Sequence, residues 1–216
     1  MRKLSIRRIH FTTRMGKVRR REPMKSSQVR TVALGAMFMV LCVINCYSAG
    51  ASESATIVFL RNNIHVQNHE NTREYRASYA NWTNPGKGHV VIPVNTPVSM
   101  GTFGRGFSII IRSSQKPILF ELSEKNAGMA EEQYWRLITS PQPVQLDNLS
   151  EIDRKGIQEG KAYAGMTKEG VRIALGYPAH HKTPSLENAT WYYWTNRFKS
   201  FAIEFDEKGN VRSIGK

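Results

Sequence analysis

Four consecutive aromatic residues, Trp191-Tyr192-Tyr193-Trp194, are followed closely by two cations, Arg197 and Lys199. On a β-strand successive side chains point to opposite faces, so one alternate pair enters the core and the other faces outward. If Trp191 and Tyr193 fill the core, Tyr192 and Trp194 form an outer stripe; the opposite assignment swaps them. Large, rigid aromatic anchors rimmed by charged donors have the composition of a protein-binding patch. The candidate partner-binding residues are therefore Tyr192 and Trp194 as anchors and Arg197 and Lys199 as rim charges. His181, Thr183 and Pro184, in the polar segment ahead of the aromatic run, form a shaped loop beside them.

The other residues with reactive side chains assemble into no recognisable catalytic set. His180 and His181 are adjacent, and neighbours on an extended chain point apart, so one metal rarely takes both. No cysteine follows Ser52, and Glu187 has no ligand-like spacing to the pair. Ser185 lacks the Gly-x-Ser-x-Gly context of a nucleophile elbow, and no phosphate loop or dinucleotide fingerprint occurs. No catalytic residue, metal site or cofactor is assigned, and the chain reads as non-enzymatic.

Short elements must hold the aromatic run. Thr167 is a good N-cap, Glu169 lies in the first turn, and Val171, Ala174 and Leu175 fall on one helical face. Gly176 and Pro178 then stop the helix. Phe201, Ile203 and Phe205 alternate with Ala202, Glu204 and Asp206, and Asp206 to Asn210 makes a tight turn into Val211 to Ile214. Three antiparallel strands are thus expected. Upstream, Ser150 to Asp153 reads as a capping box before a helix that ends at Gly160.

In order and spacing this segment resembles the SmpA/OmlA (BamE-like) outer-membrane assembly lipoprotein domain. The matching elements are Gly165-Met166-Thr167, Val171, Leu175-Gly176-Tyr177-Pro178, Trp191-Tyr192-Tyr193, and Phe205-Asp206 with Gly209 and Val211. The resemblance covers about the last third of the chain. It implies protein-protein contacts at the periplasmic side of the outer membrane, accessory to outer-membrane assembly or envelope integrity.

Thr56 to Leu122 contains several short β-prone runs separated by Pro- and Gly-rich turns, as in a small barrel or sandwich. Val91-Ile92-Pro93-Val94-Asn95-Thr96-Pro97-Val98 resembles the hairpin of bacterial SH3-like domains, with Asn95 where those place Gly. That similarity implies, as an alternative function, a periplasmic module binding cell wall (peptidoglycan) or peptide. The expected fold class is α+β: a small N-terminal β-barrel or SH3-like module, then a two-layer domain of two helices packed on a three-stranded antiparallel sheet. Residues 52–140 form the first unit, ending in a short helix at Met129 to Ile138. Pro141 and Pro143 mark the boundary, and 141–216 form the second.

The formal net charge of +14 is unevenly spread. Residues 1–23 hold nine Lys/Arg and one Glu, whereas from Ser52 onward 20 Lys/Arg face 16 Asp/Glu. The folded part is only mildly basic, which argues against nucleic acid as a partner. Residues 1–51 read as a basic extension plus a signal peptide. Met24 fits as the true start, Val32 to Ile44 as the apolar run, and Ala49-Gly50-Ala51 as the cleavage site. The expected location is the periplasm or the periplasmic face of the outer membrane, with envelope or outer-membrane proteins as partners. Cys46 is the alternative lipidation site, and such an anchor would be the only membrane attachment. Mass spectrometry of the mature protein from fractionated envelopes should find a chain beginning at Ser52 or at acylated Cys46. Recovery of a peptide from residues 1–23 would refute the assignment of Met24.

Overall fold

The computed structural model describes residues 56–69 and 74–215. The basic arm, the signal segment and Cys46 lie outside the described residues. The described residues form one compact unit. Its strands are β1 (Val58–Leu60), β2 (Ile64–His69), β3 (Glu74–Ser78), β4 (His89–Ile92), β5 (Pro97–Phe103), β6 (Gly106–Ile111), β7 (Pro117–Glu121), β8 (Thr139–Ser140), β9 (Thr190–Asn196), β10 (Lys199–Phe205) and β11 (Val211–Gly215). Between them lie α1 (Glu124–Ala127), α2 (Glu131–Ile138), α3 (Glu151–Glu159) and α4 (Lys168–Leu175).

This architecture corrects the expected α+β class. The described chain is mostly β: one curled eight-stranded sheet in the order β4-β2-β3-β7-β6-β5-β1-β8, and a second sheet in the order β11-β10-β9. No described helix exceeds nine residues. A small barrel followed by a helices-on-sheet two-layer domain does not describe it. The physical reason lies in strand pairing. β3 runs parallel beside β7, pairing Tyr75 with Ile118 and Ser78 with Glu121, a contact that joins segments far apart in sequence. Thr139 and Ser140, beside the expected boundary, add to the edge of the same sheet by pairing with Leu60 and Phe59.

Burial follows from the pattern of apolar residues. Leu60, Val66, Val98, Phe107, Ile109, Ile118 and Phe120 form one buried cluster, which includes Tyr134 and Ile138 of α2. Phe107 stacks on Phe120 with ring centroids 4.8 Å apart. A second cluster joins Trp191, Tyr193, Ile203, Phe205 and Val211 to Ile157, Met166, Val171, Ile173 and Leu175. Two positions show backbone need. Gly101 continues β5 because a Cβ there would meet Ser108 Oγ at 2.5 Å. Asn95 has φ of 66°, a left-handed conformation that Asn tolerates, and its carboxamide is bonded twice to the Val144 backbone.

The two central helices are fixed at both ends. Ser150 and Thr167 cap α3 and α4 by accepting from the amides of Asp153 and Gly170. Asp153 is fully buried and accepts from Ser150 Oγ at 2.7 Å, Thr167 N at 2.8 Å and Thr167 Oγ1 at 3.2 Å. One carboxylate thus ties the two N-termini together. A Cβ at position 170 would collide with its Oδ1, which explains the glycine. At the opposite ends, Asn63 Nδ2 donates to Ile157 O at 2.6 Å and Ala174 O at 3.3 Å, while its Oδ1 accepts from Val94 N at 2.9 Å.

Asn63→Asp should therefore be worse than Asn63→Ala, because it turns a carboxylate oxygen toward two carbonyls in a buried site. Asn63→Ala is expected to lower unfolding stability by about 2 kcal/mol and Asn63→Asp by about 4 kcal/mol. Urea titrations of the three proteins measure this, and an aspartate variant as stable as wild type would refute the role given to the carboxamide.

Candidate functional site

β9 is aromatic on both faces, and the structure decides which pair is inside. Trp191 and Tyr193 are 1% and 0% exposed, and the Tyr193 hydroxyl donates to Gly176 O at 3.0 Å. Burial pushes the Tyr193 phenol well above its ordinary pKa, so it stays a donor. Tyr192 is consequently outward and 42% exposed, with Trp194 half-buried on the same side.

The polar segment before β9 lies against this stripe. The ring of His181 sits 5.2 Å from that of Trp194, tilted by 40°. Thr183 is buried, and its Oγ1 accepts from Tyr192 N at 2.9 Å. Pro184 is exposed. His180 diverges from His181: it packs beside Gly128, where an added Cβ would lie 2.6 Å from His180 Cδ2. Among the described residues no group of three His, Cys, Asp or Glu side chains is placed to hold a metal.

Arg197 and Lys199 are exposed at the tip between β9 and β10. The residue between them, Phe198, is 88% exposed and was not singled out from the sequence. Its signal was present, an apolar residue between two cations directly after an asparagine. Asn196 Oδ1 accepts from Phe198 N at 2.9 Å and Lys199 N at 3.1 Å, so the tip is a closed Asx-type turn. Beyond Trp194 the outer edge of β9 is occupied, because Thr83 N and Asn84 N donate to Trp194 O and Thr195 O, both at 2.9 Å. Trp82 is thereby brought alongside Trp194.

Next to this tip is a cleft of about 550 Å³, walled by Trp82, Pro85, Asn196, Arg197 and Phe198. Its floor is the polar face of β2, β3 and β7, including His65, Gln67, Arg76, Ser78 and Glu121. Arg76 bridges Glu74 at 2.8 Å and Glu121 at 3.0 Å, and Arg105 reaches Glu121 at 3.2 Å. Below the floor, His65 Nε2 lies 3.0 Å from Ala174 O and its Nδ1 lies 3.0 Å from His89 Nε2. A carbonyl only accepts, so His65 carries its proton on Nε2 and accepts from His89 at Nδ1. The two rings are stacked within 4° of parallel.

The comparisons with known proteins return no match to any family model, curated protein or solved structure.

Burial, opposed by the Ala174 hydrogen bond, lowers the His65 pKa from 6.5 to about 4, and burial also lowers that of His89. The unfolded chain therefore binds the proton more readily. The stabilisation from neutral His65 is full above pH 6.5 and is lost as the pH falls toward about 4. It amounts to roughly 3 kcal/mol. Urea unfolding of wild type should weaken over that interval more steeply than that of His65→Gln, and identical pH slopes would contradict this reading.

Proposed function

We propose that this chain is a non-enzymatic cell-envelope protein. Its function is to make protein-protein contacts at the periplasmic side of the outer membrane, accessory to outer-membrane assembly or envelope integrity. The observation that carries the contact role is the outward array of Tyr192, Trp194 and the hairpin tip with Phe198 at 88% exposure. Aromatic side chains of this size bring large contact area for few rotatable bonds, and flanking cations give orientation and on-rate. Arg197 and Lys199 supply those cations, while the Thr183 bond to Tyr192 N and the Asn196 turn fix the array before any partner arrives. The envelope location rests on the signal-like residues 24–51 and on the SmpA/OmlA resemblance of the C-terminal third.

The Tyr192→Ala, Trp194→Ala double variant should keep the wild-type unfolding free energy in urea within about 1 kcal/mol while losing at least about tenfold in recovery of an envelope partner by crosslinking. A variant that unfolds instead, with partner recovery unchanged in the milder Tyr192→Ser protein, would assign these residues to packing and defeat the proposal.

A further inference from the structure

The cleft beside the hairpin tip has a chemistry of its own. Its floor strands β2, β3 and β7 are interior members of the sheet, each flanked by two neighbours. Each pairs with a neighbour on both sides, β2 and β3 meeting at residues 67–69 and 74–76, so the floor offers no free sheet edge for strand addition. Recognition falls to side chains. Those of the floor are mainly hydrogen-bonding groups, Ala77 excepted, and the apolar surface comes largely from the Trp82, Pro85 and Phe198 walls, so an acyl chain would leave the floor groups unpaired. The carboxylates of Glu74 and Glu121 share Arg76, and Arg105 also pairs with Glu121, so the floor is charge-balanced. Among the described residues that line the cleft, Arg197 is one further cation, too little for a polyphosphate. The walls add two aromatic surfaces, Trp82 and Phe198, to this polar floor.

A ligand that satisfies these conditions carries many hydroxyl or amide groups on its edges, presents apolar faces to aromatic rings, and bears at most one negative charge. We infer that the cleft is a saccharide-binding site, taking two or three pyranose rings that are uncharged or carry one carboxylate. The volume of about 550 Å³ lies within the range of small-ligand sites. Ring C–H faces stack on Trp82 and Phe198, Gln67 and Ser78 pair with hydroxyls, and Arg197 receives a ring carboxylate where one is present. A floor group that the ligand covers and leaves without a hydroxyl partner is costly, which gives the site its discrimination. The cleft shares Phe198 and Arg197 with the outward array but not Tyr192, which is not part of the cleft wall.

The test is a titration of the purified full-length chain, followed by amide and indole NMR shifts, with chitotriose, maltotriose and digalacturonic acid as separate probes. Trialanine is the peptide comparison. At least one saccharide should give saturable shifts at Gln67, Arg76, Phe198 and the Trp82 indole at millimolar concentration. Phe198→Ala and Gln67→Ala should each weaken that affinity by about tenfold with an otherwise unchanged amide spectrum, and Tyr192→Ala should leave it as in wild type. Shifts with trialanine alone, no saturable shift with any saccharide, or unchanged affinity in both cleft variants would each overturn the assignment.

Discussion

The last turns of α3 and α4 are both satisfied by one carboxamide, that of Asn63, which is 1% exposed. Helix ends leave carbonyls without intrahelical partners, and burying them unpaired is expensive. Asn63 meets Ile157 O and Ala174 O through its side chain and Ile173 O through its own amide at 2.8 Å. His65, two residues on, adds a second bond to Ala174 O. Asp153 meanwhile holds the opposite ends of the same helices. With α4 clamped at both ends, Val171 and Leu175 share the cluster of Trp191 and Tyr193, and the alternation of β9 leaves Tyr192 and Trp194 no inward choice. The orientation of the outer stripe is therefore a consequence of a polar contact made by a residue far away in sequence.

The same stretch of chain builds the floor of the cleft. Leading from Asn63 into β2, it puts His65, Gln67 and His69 toward the cleft while Ile64 and Val66 join the apolar cluster. His65 is shared between both roles, lying under the floor and bonding Ala174 O. Its neutrality is enforced by that position: a second ring proton would remove the acceptor that His89 uses. The polar floor is thus organised from beneath by bonds that also secure the helices.

What was legible in the sequence is what is locally determined. Ser150, Thr167 and Gly160 act as caps, and Asp206 Oδ1 closes the β10–β11 turn by accepting from Lys208 N and Asn210 N. These features depend on residues within a few positions of one another. β2 escaped notice because its alternation is short: Ile64 and Val66 alternate with His65 and Gln67, but Asn68 and His69 then follow with no third apolar position. β5 was obscured by Gly101, which reads as turn material until the approach of Ser108 is known. The parallel β3–β7 pairing carries no local signature, and with it unseen the eight strands could not be read as one sheet. The fold class failed at that point. Tyr192, Trp194, Arg197 and Lys199 were visible as residue types, whereas the cleft was not, because its floor and walls come from segments separated by more than one hundred residues.

Phe198 shows how position can outweigh residue type. A phenylalanine at 88% exposure contributes little to folding, and the bonds from Asn196 hold it there in a defined turn. Solitary exposed apolar residues are common on protein surfaces and need no explanation by themselves. This one differs because its two flanking residues are cations, its strand is held on both edges by β10 and by Thr83 and Asn84, and it stands at the wall of the cleft. Strand pairing on both sides limits how far the tip can move, so the conformational entropy of docking against it is already reduced in the free protein. Rigid presentation of an otherwise unfavourable side chain is the common physical basis of both binding surfaces assigned to this hairpin.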